Sequence, residues 1–197
     1  MKIFKQETDK SCGIACLRSI FNYYGKDLTE KEILEKHKFY KIAGGVINPL
    51  ISLGITALKF GFKVKYIGFN PIIANNLHGD LINSLKQKSK KYFKIGKFYV
   101  DKTIEFLNLN GEIKIERLNI EKLKRLINEN GFILVGIRPA FIDNRSSINN
   151  SHKVIINSFN ENRFHIIDPI GKEYDVDFDS FLMAFYGAMP EVLIIKK

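Results

Sequence analysis

The stretch from Lys5 to Gly25, KQETDKSCGIACLRSIFNYYG, decides how the rest of the chain is arranged. From Cys12 to Tyr24 the apolar positions fall at 12, 16, 19/20 and 23 and again at 13, 17, 21 and 24, the spacing of a helix with two adjoining apolar faces. Only Arg18 and Asn22 make a polar stripe, and a helix apolar around most of its circumference is buried between layers. Ser11 stands at the expected N-cap and Gly25 at the expected stop. Cys12 therefore falls in the first turn, where unpaired N–H groups and the helix dipole stabilise a thiolate and lower its pKa. Cys16, one turn deeper, has no such support and reads as a small packing residue.

A cysteine at a helix start is more often structural than reactive, so its meaning depends on what else the chain supplies. Asn119 caps a helix with apolar positions at Ile120, Leu123, Leu126 and Ile127, Gly131 ends it, and Phe132–Ile137 is a continuous apolar strand. After a polar loop from Pro139 to Ser151, two strands, His152–Phe159 and Arg163–Asp168, are joined by Asn160-Glu161-Asn162. A turn centred on residue 161 sets Asp168 opposite Val154, two positions from His152 and on the same face. Such diagonal neighbours lie about 7–8 Å apart at the backbone, within reach of an imidazole and a carboxylate. A slip of one residue would put the two on opposite faces. His165 has the other parity and is assigned a structural role. Thiol, base and a carboxylate to orient the base are what nucleophilic thiol catalysis requires.

The remaining signals are weaker. Thr29 and Glu32 form a capping box at the start of a short helix ending near His37, which sits between Lys36 and Lys38 and reads as a solvated residue. Gly44-Gly45-Val46 reads as a loop, an apolar helix runs from Asn48 or Pro49 to Lys59 with Gly61 after it, and FKVKYI at Phe62–Ile67 alternates like a strand. A helix is expected near Leu77–Lys91, His78 as a loop or cap residue, a further apolar segment at Thr103–Leu109, and the alternating piece IKIERL after Gly111. Between Lys86 and Lys97, KQKSKKYFKIGK gathers six lysines around Tyr92 and Phe93, enough to line a cleft.

With 197 residues, 45% of them hydrophobic, the chain suits a single domain, 1–197, with a helical lobe over about 1–115 and a sheet lobe over about 116–197. Two cysteines at i and i+4 make no disulfide scaffold and suit a reducing compartment. The charged start MKIFKQETDK lacks the apolar core of a signal peptide, and the most apolar run, Gly44–Leu58, is too short for a span, so a cytoplasmic protein is expected. The formal charge of +10 comes from lysines spread over the surface without an Arg-rich or aromatic RNA-binding motif, so no nucleic-acid partner is expected.

Gln6, then Cys12-Gly13-x-Ala15-Cys16-Leu17 and Tyr23-Tyr24-Gly25, followed far downstream by Ser151-His152-Lys153-Val154-Ile155-Ile156 and Phe164-His165-Ile166-Ile167-Asp168-Pro169, resemble the bacteriocin-processing, double-glycine leader peptidases and their stand-alone relatives. The resemblance is good at both ends and poor in the middle. It implies an α+β papain-like cysteine peptidase fold, an N-terminal helical lobe with the nucleophile at a helix N-terminus packed on a C-terminal antiparallel sheet. By the resemblance, Cys12 is the nucleophile, His152 the general base and acid, Asp168 the group that fixes its tautomer, and Gln6 the side-chain donor of the oxyanion hole beside the N–H of Cys12. Ser11 stands where the family often has an acidic residue or asparagine, and Lys153 where an aromatic or small residue is usual. No GxxxxGK[ST] motif occurs, so the ATPase of the leader-peptide exporters is missing.

The expected activity is hydrolysis of a peptide bond through a thioester, with a peptide or protein substrate and no cofactor or metal. An acyltransferase of the same fold, as in phytochelatin synthases, needs only a different acceptor, and a peptide-binding module without catalysis would have no need of the retained cysteine. A zinc site from Cys12, Cys16, His152 and His165 is disfavoured by the parity that separates the histidines and by the lack of a CxxC pair.

Overall fold

The computed structural model describes residues 1–42, 45–68, 80–89, 94–143 and 151–197. Its elements in order are α1 (Cys12–Tyr23), α2 (Glu30–Lys36), β1 (Tyr40–Ile42), β2 (Gly45–Ile47), α3 (Leu50–Lys59), β3 (Lys63–Gly68), α4 (Leu81–Ser89), α5 (Lys94–Asn108), β4 (Glu112–Ile115), α6 (Ile120–Asn130), β5 (Ile133–Ile137), β6 (His152–Phe159), β7 (Arg163–Asp168), β8 (Lys172–Asp177), α7 (Phe178–Gly187) and β9 (Glu191–Lys196). Seven strands form one sheet in the order β4-β3-β9-β5-β6-β7-β8, antiparallel throughout except for the parallel pair β3 and β4.

Alternation along these strands supplies two cores. Tyr66, Leu134, Ile155, Ile167, Leu193 and Ile195 point to one face and pack with Leu17, Ile20, Phe21 and Leu53 of α1 and α3. Ile67, Val135, Val154, Ile166, Val192 and Ile194 point to the other and pack with Leu123 and Ile127 of α6 and with Phe181 and Phe185 of α7. The helix expected at Cys12–Tyr24 is there, with Cys12 to Leu17 all buried, and Phe21 stacks on Phe62 at 4.5 Å between centroids. Such a ring pair adds roughly 0.5–1.5 kcal/mol beyond its buried area. The capping box at Thr29 forms on both sides, Glu32 N–H donating to Thr29 Oγ1 and Thr29 N–H to Glu32 Oε2. Gly131 takes the left-handed conformation, φ 78°, that lets α6 end where its periodicity stops.

The structure differs from the sequence reading at several points. Gly45 and Val46 are not in a loop but pair with Ile42 and Lys41 across a small antiparallel ribbon, β1 with β2. Two strands from the first 115 residues, β3 and β4, join the large sheet, so it is not built from the C-terminal part alone. Strand β9 lies in the sheet interior, bonded to β3 on one side and β5 on the other. The reading of His78 and the middle of the lysine-rich stretch, including Tyr92 and Phe93, lie outside the described residues.

His37 is buried, not solvated, at 7% exposure. The backbone leaves α2 at this residue in an extended conformation, φ −97° and ψ 143°, and turns the ring inward against Phe39 and α3. Thr56 Oγ1 donates to the Ser52 carbonyl, so His37 Nδ1–H donates to Thr56 Oγ1 at 2.8 Å and Nε2 is left bare. Burial lowers the pKa of His37 to about 4, with the charges of Lys102 and Lys59 acting in the same direction and Asn48 against it. The unfolded chain takes up this proton near 6.5 and the folded chain only near 4, so acid favours unfolding across that window. Urea unfolding at a series of pH values tests this: from pH 6.5 to 4 the wild type loses about 2–3 kcal/mol that His37→Gln does not.

Candidate active site

Helix α1 begins without a side-chain cap. Ser11 holds the N-cap position, but its hydroxyl closes a turn with Thr8 instead, accepting from Thr8 N–H and donating to Thr8 O, each at 3.0 Å. The first helical bonds run from Ile14 and Ala15 N–H to Ser11 O, which leaves the N–H groups of Cys12 and Gly13 directed outward from the helix mouth. Gly13 is needed for close packing: a Cβ there would lie 2.7 Å from Leu53 Cδ1 and 3.2 Å from Asn48 Nδ2. Behind the turn, Glu30 is 1% exposed and accepts from Glu7 N–H at 3.2 Å, and burial raises its pKa. Helix α2 thereby fixes the loop that leads into Cys12.

Strands β6 and β7 bring the other two groups together. Ile155 lies opposite Ile167 and Ile156 opposite Ile166, so Asp168 falls opposite Val154 as expected, although the pairs beside the turn are one residue out of that register and a shift between Ile156 and Ser158 restores it. His152 Nε2 bonds Asp168 Oδ1 at 2.7 Å. The carboxylate also accepts from Ile170 N–H at 3.0 Å and, on Oδ2, from the Tyr174 hydroxyl at 2.9 Å. Burial alone would raise the pKa of Asp168; the His152 ring and these two donors outweigh it and hold the carboxyl below its usual range. Tyr174 was not read from the sequence. It lies opposite Ile166 on β8 while Lys172 lies opposite Asp168, so it is the diagonal neighbour on Asp168's own face, a signal available only once β8 is known to pair.

With Nε2 engaged, Nδ1 of His152 is the nitrogen left for the thiol. Burial raises the pKa of Cys12, but the hydrogen bond and charge of His152, then the charge and backbone N–H of Lys153, bring it below 9.0. Burial lowers that of His152, yet Asp168 and Cys12 lift it to about 9. The pair is thus driven toward thiolate and imidazolium. Cys16 is 1% exposed, its Sγ donating to Lys153 O at 3.4 Å, and burial pushes its thiol well above 9.0, in keeping with a packing role. His165 is on the opposite face of β7, held by Asp175 and Glu173 at 2.7 and 2.9 Å.

Gln6 sits beside this assembly, its N–H donating to Pro169 O at 2.7 Å. Its Nε2 donates to Thr8 O at 3.0 Å, and its Oε1 is buried without a partner. The bond to Thr8 uses one of the two Nε2 hydrogens, so the amide keeps a second N–H that can serve as a donor. No cluster of His, Cys, Asp or Glu suited to a metal ion occurs among the described residues. Asp168→Asn removes the charge that supports the imidazolium, so the His152 pKa falls by one unit or more from about 9, and Tyr174→Phe shifts it less. Thiolate absorbance near 240 nm followed across pH reads both shifts, and an unchanged titration in Asp168→Asn would contradict the geometry.

Comparison with known proteins follows from this arrangement. No curated protein sequence matches the chain. Among solved structures, the peptidase domain of Streptococcus ComA, a bi-functional ABC transporter of a quorum-sensing pathway, superposes with a TM-score of 0.55 at 14% identity over 99% of this chain and 97% of that one. A double-glycine-motif protease from an AMS/PCAT transporter, solved with its leader peptide, gives 0.51 at 15% identity over 99% and 90%. A C39-like peptidase of Bacillus anthracis gives 0.58 at 12% identity over 100% and 94%. Identities this low speak for the fold, which is the α+β papain-like one. The family model described as Peptidase C39 family matches residues 1–135, a span that includes Gln6 and Cys12 and ends before His152 and Asp168. The chain belongs to the Peptidase C39 family of cysteine peptidases.

Proposed function

We propose that the chain hydrolyses a peptide bond in a leader or precursor peptide, with Cys12 as nucleophile, His152 as acid and base and Asp168 as the group that orients His152. The observation that carries this reading is the hydrogen bond from His152 Nε2 to Asp168, which leaves the other ring nitrogen for a thiol at an uncapped helix N-terminus. In the reaction, Cys12 Sγ⁻ attacks the carbonyl carbon and the negative charge passes to the carbonyl oxygen. The outward N–H of Cys12 meets that oxygen, and Gln6 adds a second donor with the Nε2 hydrogen that Thr8 does not take. The C–N bond then breaks while His152 gives its proton to the departing amine, leaving a thioester and a neutral ring. Water attacks the thioester, His152 takes the proton from that water, and the C–S bond breaks to restore thiolate and imidazolium. A peptide substrate is also what the similar protease was solved with.

The test is incubation of the chain with synthetic precursor peptides, double-glycine leaders among them, with products identified by mass. Cys12→Ala and His152→Ala should lower the rate by at least about 10³, as removal of a nucleophile or its base does. The pH profile should be bell-shaped. Activity falls in acid as the thiolate is protonated, and in alkali near pH 9 as His152 loses the proton that the leaving amine needs. Cleavage that persists in Cys12→Ala would overturn the reading.

A further inference from the structure

Lys153 directly follows His152 on β6 and is a buried residue, 8% exposed. It lies over Gly136, its partner on β5, where a Cβ would come within 3.2 Å of Nζ and 3.7 Å of Cδ and Cε. A Cβ at that position would crowd the end of the lysine chain. The polar contact of Nζ is a neutral one, Ser151 Oγ at 3.0 Å, and no carboxylate pairs with it among the described residues. Meanwhile the backbone carbonyl of Lys153 accepts from Cys16 Sγ, so this stretch of β6 packs on the face of α1 that Cys12 shares one turn earlier. A buried cation without a counter-ion costs several kcal/mol unless a nearby anion compensates it. Cys12 stands one helical turn from the Cys16–Lys153 contact, and its thiolate is an anion on which the charge of Lys153 acts.

We propose that Lys153 is a positioning residue whose buried ammonium, together with His152, holds Cys12 as a thiolate. The inference rests on the proposed peptidase reading and names a second source of its nucleophile's charge. In support, the charge and backbone N–H of Lys153 both act on Cys12 in the direction that favours the thiolate. The other titratable groups around the two cysteines are His152 on the same strand, Asp168 on β7 and Glu30 at the start of α2, and the proposed mechanism asks no proton transfer of Lys153. When His152 passes its proton to the leaving amine, a positive charge therefore remains in the site. It favours return of sulfur as thiolate when the thioester is cleaved.

The experiment is the pH dependence of Cys12 alkylation by iodoacetamide, with peptide mapping, in wild type, Lys153→Met, Lys153→Gln and Lys153→Arg, with melting temperature recorded alongside. The expected result is that Met and Gln shift the acid limb upward by about one pH unit, so the rate at a pH below the limb falls about tenfold, while Arg restores most of it. Met should keep the melting temperature near that of wild type, because an apolar chain of similar length fills the same space over Gly136. Should Lys153→Met not fold, Lys153→Gln carries the comparison. A limb that stays in place in both neutral variants overturns the inference while the peptidase reading stands. A wild-type Cys12 that reacts as an ordinary thiol overturns that reading itself.

Discussion

The contact between His152 and Asp168 depends on one irregularity in strand pairing. Close to the turn, β6 and β7 pair with Ser158 opposite His165 and Phe159 opposite Phe164; above Asn157 the register shifts, and Ile156 lies opposite Ile166. Had the first register continued, Asp168 would stand opposite Ile155, and the carboxylate and imidazole would project from opposite faces of the sheet. The bulge at Asn157 restores the parity. Everything electrostatic at the helix mouth follows from it. The carboxylate raises the basicity of the imidazole, the imidazole in turn lowers that of the thiol, and Tyr174 and Ile170 hold the carboxylate itself in its charged form.

The price of placing this assembly between two apolar layers is a set of buried polar groups, each handled differently. Glu30 is given the amide of Glu7 and anchors the loop before Cys12. His37 is kept neutral by burial, and its Nδ1–H is given Thr56 as a partner. Lys153 donates to Ser151 and lies against a glycine that leaves it room. Each group sits where α1, α2 or β6 would otherwise be free to slide, so they constrain the position of Cys12 as well as its charge. The apolar contacts of α1 supply the binding energy, but such contacts are non-directional and tolerate small shifts that a hydrogen-bonded site does not.

Much of this could be read from residues alone. Helix α1 was legible because its apolar spacing is strong and continuous, and β6 and β7 as a hairpin because alternating strands flank a short polar turn; the parity expected of them is met only through the bulge at Asn157, which nothing in the turn announces. The order of Gln6, Cys12, His152 and Asp168 then suggested the chemistry. Other features were hidden for physical reasons. Ser11 has the identity of a cap, yet a competing local turn with Thr8 captures its hydroxyl. His37 is flanked by lysines, and nothing local reports the extended backbone that turns it inward. The place of β9 is set by long-range pairing with strands about 60 and 125 residues earlier, and periodicity carries no information on partners. Tyr174 was invisible for the same reason.

The interior position of β9 has a consequence for the time at which the protein becomes whole. Within the sheet, β4 and β3 are hydrogen-bonded to β5 through β8 only by way of β9 among the described residues. Residues 191–196 are therefore the seam between the strand pair that precedes α6 and the strands that carry His152 and Asp168. A nascent chain can form α1, α2 and α3 early, but it cannot close the sheet until this segment has left the ribosome. Until then the edges of β3 and β5 expose unpaired backbone groups. The complete scaffold around the thiol thus waits for residues 191–196, and a chain interrupted before residue 191 would carry Cys12, His152 and Asp168 without the strand that joins the two parts of the sheet.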